Sequence, residues 1–352
     1  MLRIGIIGGQ LGEKVYDEPY QKWMDSVSKR SYNKQTGEYT FEAALAASLS
    51  QKKNVEATYY TKLQESDLQS NDVNFFAGTN LINAWETSPK EYKRWIQLIK
   101  DKKNHIYPPL KEQEFLYDKG KYLMYFKNKG IPIAPTFVLR DNRNIPSILQ
   151  KVKRNKWDSF VLKPHHAYAN VSINRFDMND KKLQEKLTKY FKKNKHFPGF
   201  VCQETMMGFK EHYEVKSFWI NGEYKYYIAI KAQFDGSVFS QEELSDEVDG
   251  DVMYFSMDNT VSKKVLDQIK KMGRKIVKEF PVQPIHGKKT PPLYLRLDFG
   301  CCLGNTLDTS KYFLNEVEYA GCRLFLDVKD AFHHWTKGYY EKAKEISNSD
   351  HS

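Results

Sequence analysis

The segment from Leu293 to Phe299, Leu-Tyr-Leu-Arg-Leu-Asp-Phe, alternates in character. As a strand it turns Leu293, Leu295, Leu297 and Phe299 to one face and Tyr294, Arg296 and Asp298 to the other. The segment Phe313-Leu-Asn-Glu-Val-Glu-Tyr319 likewise puts Glu316 and Glu318 on one face. If the two strands pair, three carboxylates converge beside one guanidinium. Hard oxygen donors so arranged suit Mg²⁺, best with substrate phosphates completing its shell; a surface ladder of salt bridges has the same pattern. Two lysines also sit on strand-like segments, Lys163 at the end of Phe160-Val-Leu-Lys and Lys231 within Ile228-Ala-Ile-Lys-Ala. A lysine flanked by buried residues is costly unless it meets an anion, and phosphate is the obvious one. A lysine at a sheet edge can instead snorkel to water.

These residues need elements to position them. Residues 2–7 read as a strand running into Gly8-Gly9. That is a glycine turn without a full GxGxxG, so it signals a tight turn more than a dinucleotide. Residues 41–49 read as a helix on Ala and Leu propensity, and 55–60 and 72–78 as strands. This alternation predicts a small α/β domain over the first hundred residues or so. Pro108-Pro109 breaks the chain; residues 112–129 then read as one helix, stopped by Gly130 and Pro132. Strands are expected at 135–139 and 159–163, followed by a lysine-rich helix. Beyond residue 200 the pattern becomes strands joined by turns, at 200–204, 214–220, 223–232, 293–299 and 312–319. Asn221-Gly222 marks a hairpin. Val261, Val265, Ile269, Met272, Ile276 and Phe280 recur at helical spacing, and a last helix is expected over 331–346. The layout is an antiparallel sheet with helices packed on it, so α/β is followed by α+β.

Composition narrows the function classes. The chain has 352 residues, 40% hydrophobic and 28% charged, which fits folded domains and argues against pervasive disorder. No apolar run is long enough to span a membrane, and the N-terminal apolar stretch is too short for a signal peptide. Four cysteines without metal-ligand spacing form no disulfide framework, so a reducing, cytoplasmic location is expected. The formal net charge of +11 suits an anionic partner. Much of it lies on one helix, at Lys181, Lys182, Lys186, Lys189, Lys192, Lys193 and Lys195, and reads as a solvated face. No zinc-finger, basic-zipper or RRM signature is present, so no sequence-specific nucleic-acid role is expected.

In order and spacing, the motifs resemble the ATP-grasp superfamily, in particular its D-alanine–D-alanine ligase and glutathione-synthetase-like carboxylate–amine ligases. The resemblance covers roughly residues 110–325. It rests on Asp118-Lys119 with Gly130-Ile131-Pro132, on Phe160-Val-Leu-Lys163-Pro164, and on Val201-Cys-Gln203-Glu204-Thr-Met206-Met207-Gly208 with Glu211. It rests further on Leu295-Arg296-Leu-Asp298-Phe and Leu314-Asn315-Glu316-Val-Glu318. The resemblance implies an ATP-grasp fold, with nucleotide between two α+β subdomains at 109–198 and 199–346. A Rossmann-like, pre-ATP-grasp α/β domain at 1–108 would precede them.

The resemblance also implies roles. Lys119 and Lys163 would reach the nucleotide phosphates, and Lys231 the γ-phosphate. Gln203, Glu204, Met206 and Met207 would hold the adenine, and Glu211 the ribose. Asp298, Glu316 and Glu318 would bind two Mg²⁺ ions, with Mn²⁺ as an alternative. Arg296 would stabilise an acyl-phosphate and the tetrahedral state that follows it. The implied activity is an ATP-dependent carboxylate–amine or carboxylate–thiol ligase, with small-molecule or peptide substrates and a monomeric or homodimeric state. A kinase for an anionic small molecule, or a nucleotide-binding regulator without turnover, would use the same face. Two departures stand out. The loop after Lys163 reads His165-His166-Ala-Tyr-Ala-Asn, without the glycines of the family's lid, so the histidines either replace amide contacts or are structural. The last metal position, often asparagine, is Glu318. Lids are expected at 164–171 and 234–251.

Overall fold

A computed structural model describes residues 1–8, 14–16, 32–33, 38–60, 65–76, 81, 84–85, 88–140, 143–166, 172–206, 208, 212–230, 254–255, 261–301, 312–319, 324–326 and 328–347. Lys231, Met207, Glu211, the segment 234–251 and most of the loop after His166 lie outside them.

The fold is mixed α and β with several sheets. The first sheet holds β1 (Leu2–Ile7), β5 (Val55–Tyr60), β6 (Val73–Phe76) and β7 (Ile106–Tyr107), all parallel, in the order β5-β1-β6-β7. A small antiparallel sheet of β2 (Lys14–Tyr16), β3 (Tyr32–Asn33) and β4 (Glu38–Thr40) accompanies it. Its helices are α1 (Phe41–Ser50), α2 (Glu65–Gln69) and α3 (Pro89–Lys100). The last was missed in the sequence, although its signals are local. Ser88 caps it by accepting from the Glu91 N–H, proline opens it and Lys100 closes it.

The expected single helix over 112–129 is two helices, α4 (Leu110–Tyr117) and α5 (Lys119–Asn128). Asp118 breaks the run. Its carboxylate accepts the Lys121 N–H at 2.8 Å and so caps a new helix. The break places Lys119 in a first turn.

The central sheet orders β10 (Asn174–Asp177), β9 (Ser159–Pro164), β11 (Phe200–Glu204) and β8 (Thr136–Leu139), all antiparallel. Helices α6 (Ile145–Arg154) and α7 (Leu183–Lys193) cover one side. Their core joins Ile148, Val152, Leu187 and Tyr190 to Phe160, Leu162 and Phe200. The lysine run of α7 faces away from this core, as its amphipathic spacing predicts.

The C-terminal sheet orders β14 (Tyr254–Phe255), β13 (Glu223–Ile230), β12 (Glu214–Ile220), β15 (Tyr294–Gly300) and β16 (Phe313–Glu318), again antiparallel. Asn221 and Gly222 both take positive φ, 48° and 83°, which is the hairpin turn that their dipeptide signals. Leu295, Leu297 and Phe299 belong to a core that also takes in Ile269 and Ile276 of α8 (Lys263–Glu279) and Trp335 and Tyr339 of α9 (Ala331–Ser347). Each such fully buried side chain contributes roughly 1.5–3 kcal/mol. On the opposite face of β15, which carries Arg296 and Asp298, Tyr294 packs edge-on against Trp335 of α9 with ring centroids 4.6 Å apart. Strand β16 is stitched to the entry of the central sheet, where Leu314 N–H donates to Pro132 O at 2.8 Å. No helix among the described residues is long and apolar enough to cross a membrane.

Candidate functional site

The two strands singled out in the sequence do pair. Arg296 lies opposite Glu318 and Asp298 opposite Glu316. The register then shifts, so that Phe299 faces Leu314 and Asn315 is the extra, bulged residue. A bulge re-aims its side chain. Asn315 Oδ1 accepts from Lys163 Nζ at 3.2 Å, and its Nδ2 donates to Glu214 Oε1 at 3.0 Å. Lys163 belongs to the central sheet, so this contact bridges two sheets. Lys119, at the start of α5, makes a second bridge through its ion pair with Glu316.

Strand β12 brings two residues that the sequence did not disclose. Lys216 sits opposite Asp298 and donates to its Oδ2 at 2.6 Å, with Glu214 Oε2 at 3.0 Å. Arg296 donates to both oxygens of Asp298 at 2.8 Å, and its Nη2 stands 3.8 Å from Glu318 Oε1. Four bases (Lys119, Lys163, Lys216, Arg296) thus meet four acids (Glu214, Asp298, Glu316, Glu318) on one face. Spacing alone could not have found Glu214 and Lys216, because their partners lie on β15 and β16.

Burial dominates the electrostatics. It opposes ionisation of Asp298, which is fully buried, but Arg296 and Lys216 outweigh it and hold the carboxyl below its usual range. Glu316 is likewise lowered, with Lys119 overcoming burial. The Lys119 and Lys216 ammoniums are raised, because Glu316 and Asp298 more than offset desolvation. Among the described residues Lys163 has only the Asn315 amide as a direct partner, and burial lowers its pKa. Glu318 is pushed up to about 7, first by burial and then by Glu316.

Of the residues expected at the adenine, Gln203 and Glu204 occupy a strand end. β11 pairs with β9 such that Val201 faces Lys163 and Glu204 faces Phe160. Glu204 N–H donates to Pro135 O at 3.0 Å, its side chain is half-buried, and burial followed by Asp158 raises its pKa. Gln203 is buried and donates to Thr136 Oγ1 at 3.0 Å. Met206 packs on Ala134 and Phe313, next to the residues of β16.

The two histidines separate in role. His165 is 2% exposed, and its Nδ1 lies 3.4 Å from Asp118 Oδ1. It fills the space left by Gly120 and Gly199, where an added Cβ would come within 2.6 and 2.8 Å of the ring. Its backbone is pinned as well, N–H to Gly199 O at 3.0 Å and C=O to Lys119 N–H at 3.2 Å. His165 is structural. His166 stacks on Trp85, with centroids 5.4 Å apart.

The donor set fits a hard divalent cation in chemistry, since it is carboxylate oxygen throughout and Glu318 lies crowded against Glu316. In placement, no three His, Cys, Asp or Glu side chains among the described residues gather as a metal-holding group. Asp298, Glu316 and Glu318 lie on paired strands without forming such a group. Protein cations divide them, Arg296 and Lys216 at Asp298 and Lys119 at Glu316.

No family model matches the chain, and no curated protein matches it. Solved structures do. D-cycloserine synthetase DcsG superposes with a TM-score of 0.65 at 13% identity, over 97% of this chain and 100% of that one. D-alanine–D-alanine ligase from Bacillus anthracis gives a TM-score of 0.60 at 14% identity, over 99% and 100%. Macrocyclase MdnC, bound with precursor peptide MdnA from Microcystis aeruginosa MRC, gives 0.57 at 13%, over 99% and 100%. The likeness extends to the ATP-grasp ligase PsnB complexed with minimal precursor, Mg and ADP, at a TM-score of 0.53 and 9% identity over 97% and 98%. In fold the chain resembles the ATP-grasp superfamily.

Proposed function

We propose that this chain is an ATP- and Mg²⁺-dependent ligase that joins a carboxylate to an amine or a thiol. The observation that carries the reading is the pair of bridges to β16, Lys163 to Asn315 from one sheet and Lys119 to Glu316 from one helix. A triphosphate with about four negative charges would draw those cations to itself and free the carboxylates for divalent ions. Asp298, Glu316 and Glu318 would hold Mg²⁺, or Mn²⁺, which supplies neutralisation of the phosphate charge. Lys119 and Lys163 would grip the phosphates, joined by Lys231. Gln203, Glu204, Met206 and Met207 would border the adenine, and Glu211 the ribose.

The substrate carboxylate attacks the γ-phosphorus and ADP leaves. The amine then attacks the acyl carbon, phosphate departs and the amine gives up a proton. Arg296 would offset charge on the acyl-phosphate and on the tetrahedral state. The parallel first sheet fits a pre-ATP-grasp domain at 1–108, with ATP-grasp subdomains at 109–198 and 199–346. Buried free Cys202 suits a reducing cytoplasm. Small-molecule substrates and a peptide both have precedent among the neighbours, in D-cycloserine synthetase and in the macrocyclase bound with its precursor peptide.

The net charge of +11 supports a second reading, a kinase for an anionic acceptor. Products separate the two: free phosphate for a ligase, a phosphorylated acceptor for a kinase. The first test is thermal melting with and without millimolar MgATP, where a raised Tm is expected through linkage. An unchanged Tm would sink both readings. A phosphate-release screen over amino acids, small acids and peptides then identifies the substrates.

A further inference from the structure

His165 and His166 follow the phosphate-side lysine where a lid of this fold offers glycine amides. Each ring keeps one buried nitrogen with no partner among the described residues, His165 Nε2 and His166 Nδ1, but His165 is 2% exposed and closed in by Gly120 and Gly199, which leaves His166 as the ring with room for a ligand. His166 is half-buried and its Nδ1 is buried, with no partner among the described residues. A buried nitrogen without a partner costs free energy unless a ligand meets the ring. The ring is also held in place. On one side Trp85 lies nearly parallel to it, 28° between planes, and Trp85 packs further against His196 and Phe197. On the chain side, the backbone bonds of His165 to Gly199 and Lys119 fix where residue 166 emerges. The charged groups acting on His166 are Asp118, Lys119 and Arg140. Asp118 already meets Arg140 at 3.6 Å and His165 at 3.4 Å. What remains is a cation-rich corner beside Lys119, with an imidazole that has spare hydrogen-bonding capacity.

We propose that His166 is a nucleotide-phosphate ligand that takes the place of lid amides, and that Trp85, from the segment between β6 and α3, is the positioning residue that holds its ring. The inference rests on the ATP reading above, chooses between the two roles open to His166 and adds Trp85, which no motif named. The imidazole donates a hydrogen bond to a phosphate oxygen while Lys119 supplies the charge. Trp85 touches no nucleotide and acts only by stacking.

The test is calorimetric titration of the full chain with MgATP and, separately, with adenosine. His166→Ala is expected to weaken MgATP about tenfold, the scale of a hydrogen bond to a charged oxygen, and to leave adenosine binding unchanged. Trp85→Ala is expected to match that loss, and the double variant to be no weaker than His166→Ala alone, because the two residues act as one unit. Trp85→Phe, which keeps an aromatic face, is expected to retain wild-type affinity. If Trp85→Ala does not fold, Trp85→Phe and His166→Ala decide the matter. Undiminished MgATP affinity in His166→Ala overturns the phosphate role, and losses that add in the double variant overturn the positioning role. Wild-type protein that binds neither MgATP nor adenosine defeats the ATP reading itself, a distinct result.

Discussion

Two buried carboxylates in this protein live under opposite electrostatic regimes. Asp298, on the polar face of β15, has Arg296 and Lys216 within 2.8 Å and its acidity is enhanced. Glu112, on α4, is equally inaccessible, but its direct bond is from the Gln283 N–H to Oε1 at 2.6 Å, while Oε2 is buried without a partner among the described residues. Lys342 acts on Glu112 from a distance and is itself spent on Glu345 and Pro291 O. Burial therefore wins at Glu112 and pushes its pKa up to about 7. Burial alone does not decide the state of a carboxyl group; the number of fixed cations in contact does. Where charge is kept in the interior, several side chains have been brought together for it, and that marks a working site more surely than burial does.

The same isosteric change should consequently have opposite signs at the two places. Asp298→Asn leaves Arg296 and Lys216 without their shared anion, and it is expected to lower stability by about 3–5 kcal/mol in urea unfolding at pH 7. Near-wild-type stability would mean that the buried cations find other partners. Asp298 has a depressed folded pKa, so its contribution is present above the unfolded value and is lost as pH falls through the folded one. Glu112 is the reverse: its folded pKa is raised, so the contribution is complete below the unfolded value and is lost as pH rises to about 7. Glu112→Gln, which cannot ionise, should be more stable than wild type at pH 8 by about 2–4 kcal/mol, on the scale of 1.36 kcal/mol per pKa unit. The gain should shrink toward pH 4.5. A parallel pair of pH-stability curves would refute the regime assigned to Glu112.

A third buried ionisable group, His165, is held chiefly by shape. Gly120→Ala would place a methyl 2.6 Å from His165 Nε2, and overpacking of this kind costs about 1–3 kcal/mol. Adding His165→Ala to that variant should recover part of the loss, which a charge-based account of the site does not predict. The smallest effect belongs to the solvated lysine face. The Lys189–Glu185 pair is largely exposed, so Lys189→Ala should leave the melting temperature where it is. A measurable drop would assign the lysine face of α7 a structural role.

Much of the site was legible because it is local. Period two placed Arg296 with Asp298 and Glu316 with Glu318, and Asn221-Gly222 announced the hairpin behind them. Hidden parts were of two kinds. The first is competition between local signals: over 110–128 helix propensity runs on without a gap, yet Asp118 satisfies the free N–H groups of a new first turn better than it continues an old one. The second is partnership at a distance. Lys216 reads as an ordinary strand lysine, and its meaning comes from Asp298, 82 residues later. The bulge that aims Asn315 at Lys163 depends on how β15 and β16 register against each other, which neither strand encodes alone.

The linear order of residues by itself thus determined the faces of the strands, the antiparallel C-terminal sheet and the types of group available for chemistry, because these follow from backbone periodicity and short-range turn preferences. Tertiary structure decided which cation meets which anion, which histidine is locked in packing and which stacks half-buried on Trp85. Those outcomes depend on desolvation and on contacts between segments far apart in the chain, and both exist only once the sheets have come together.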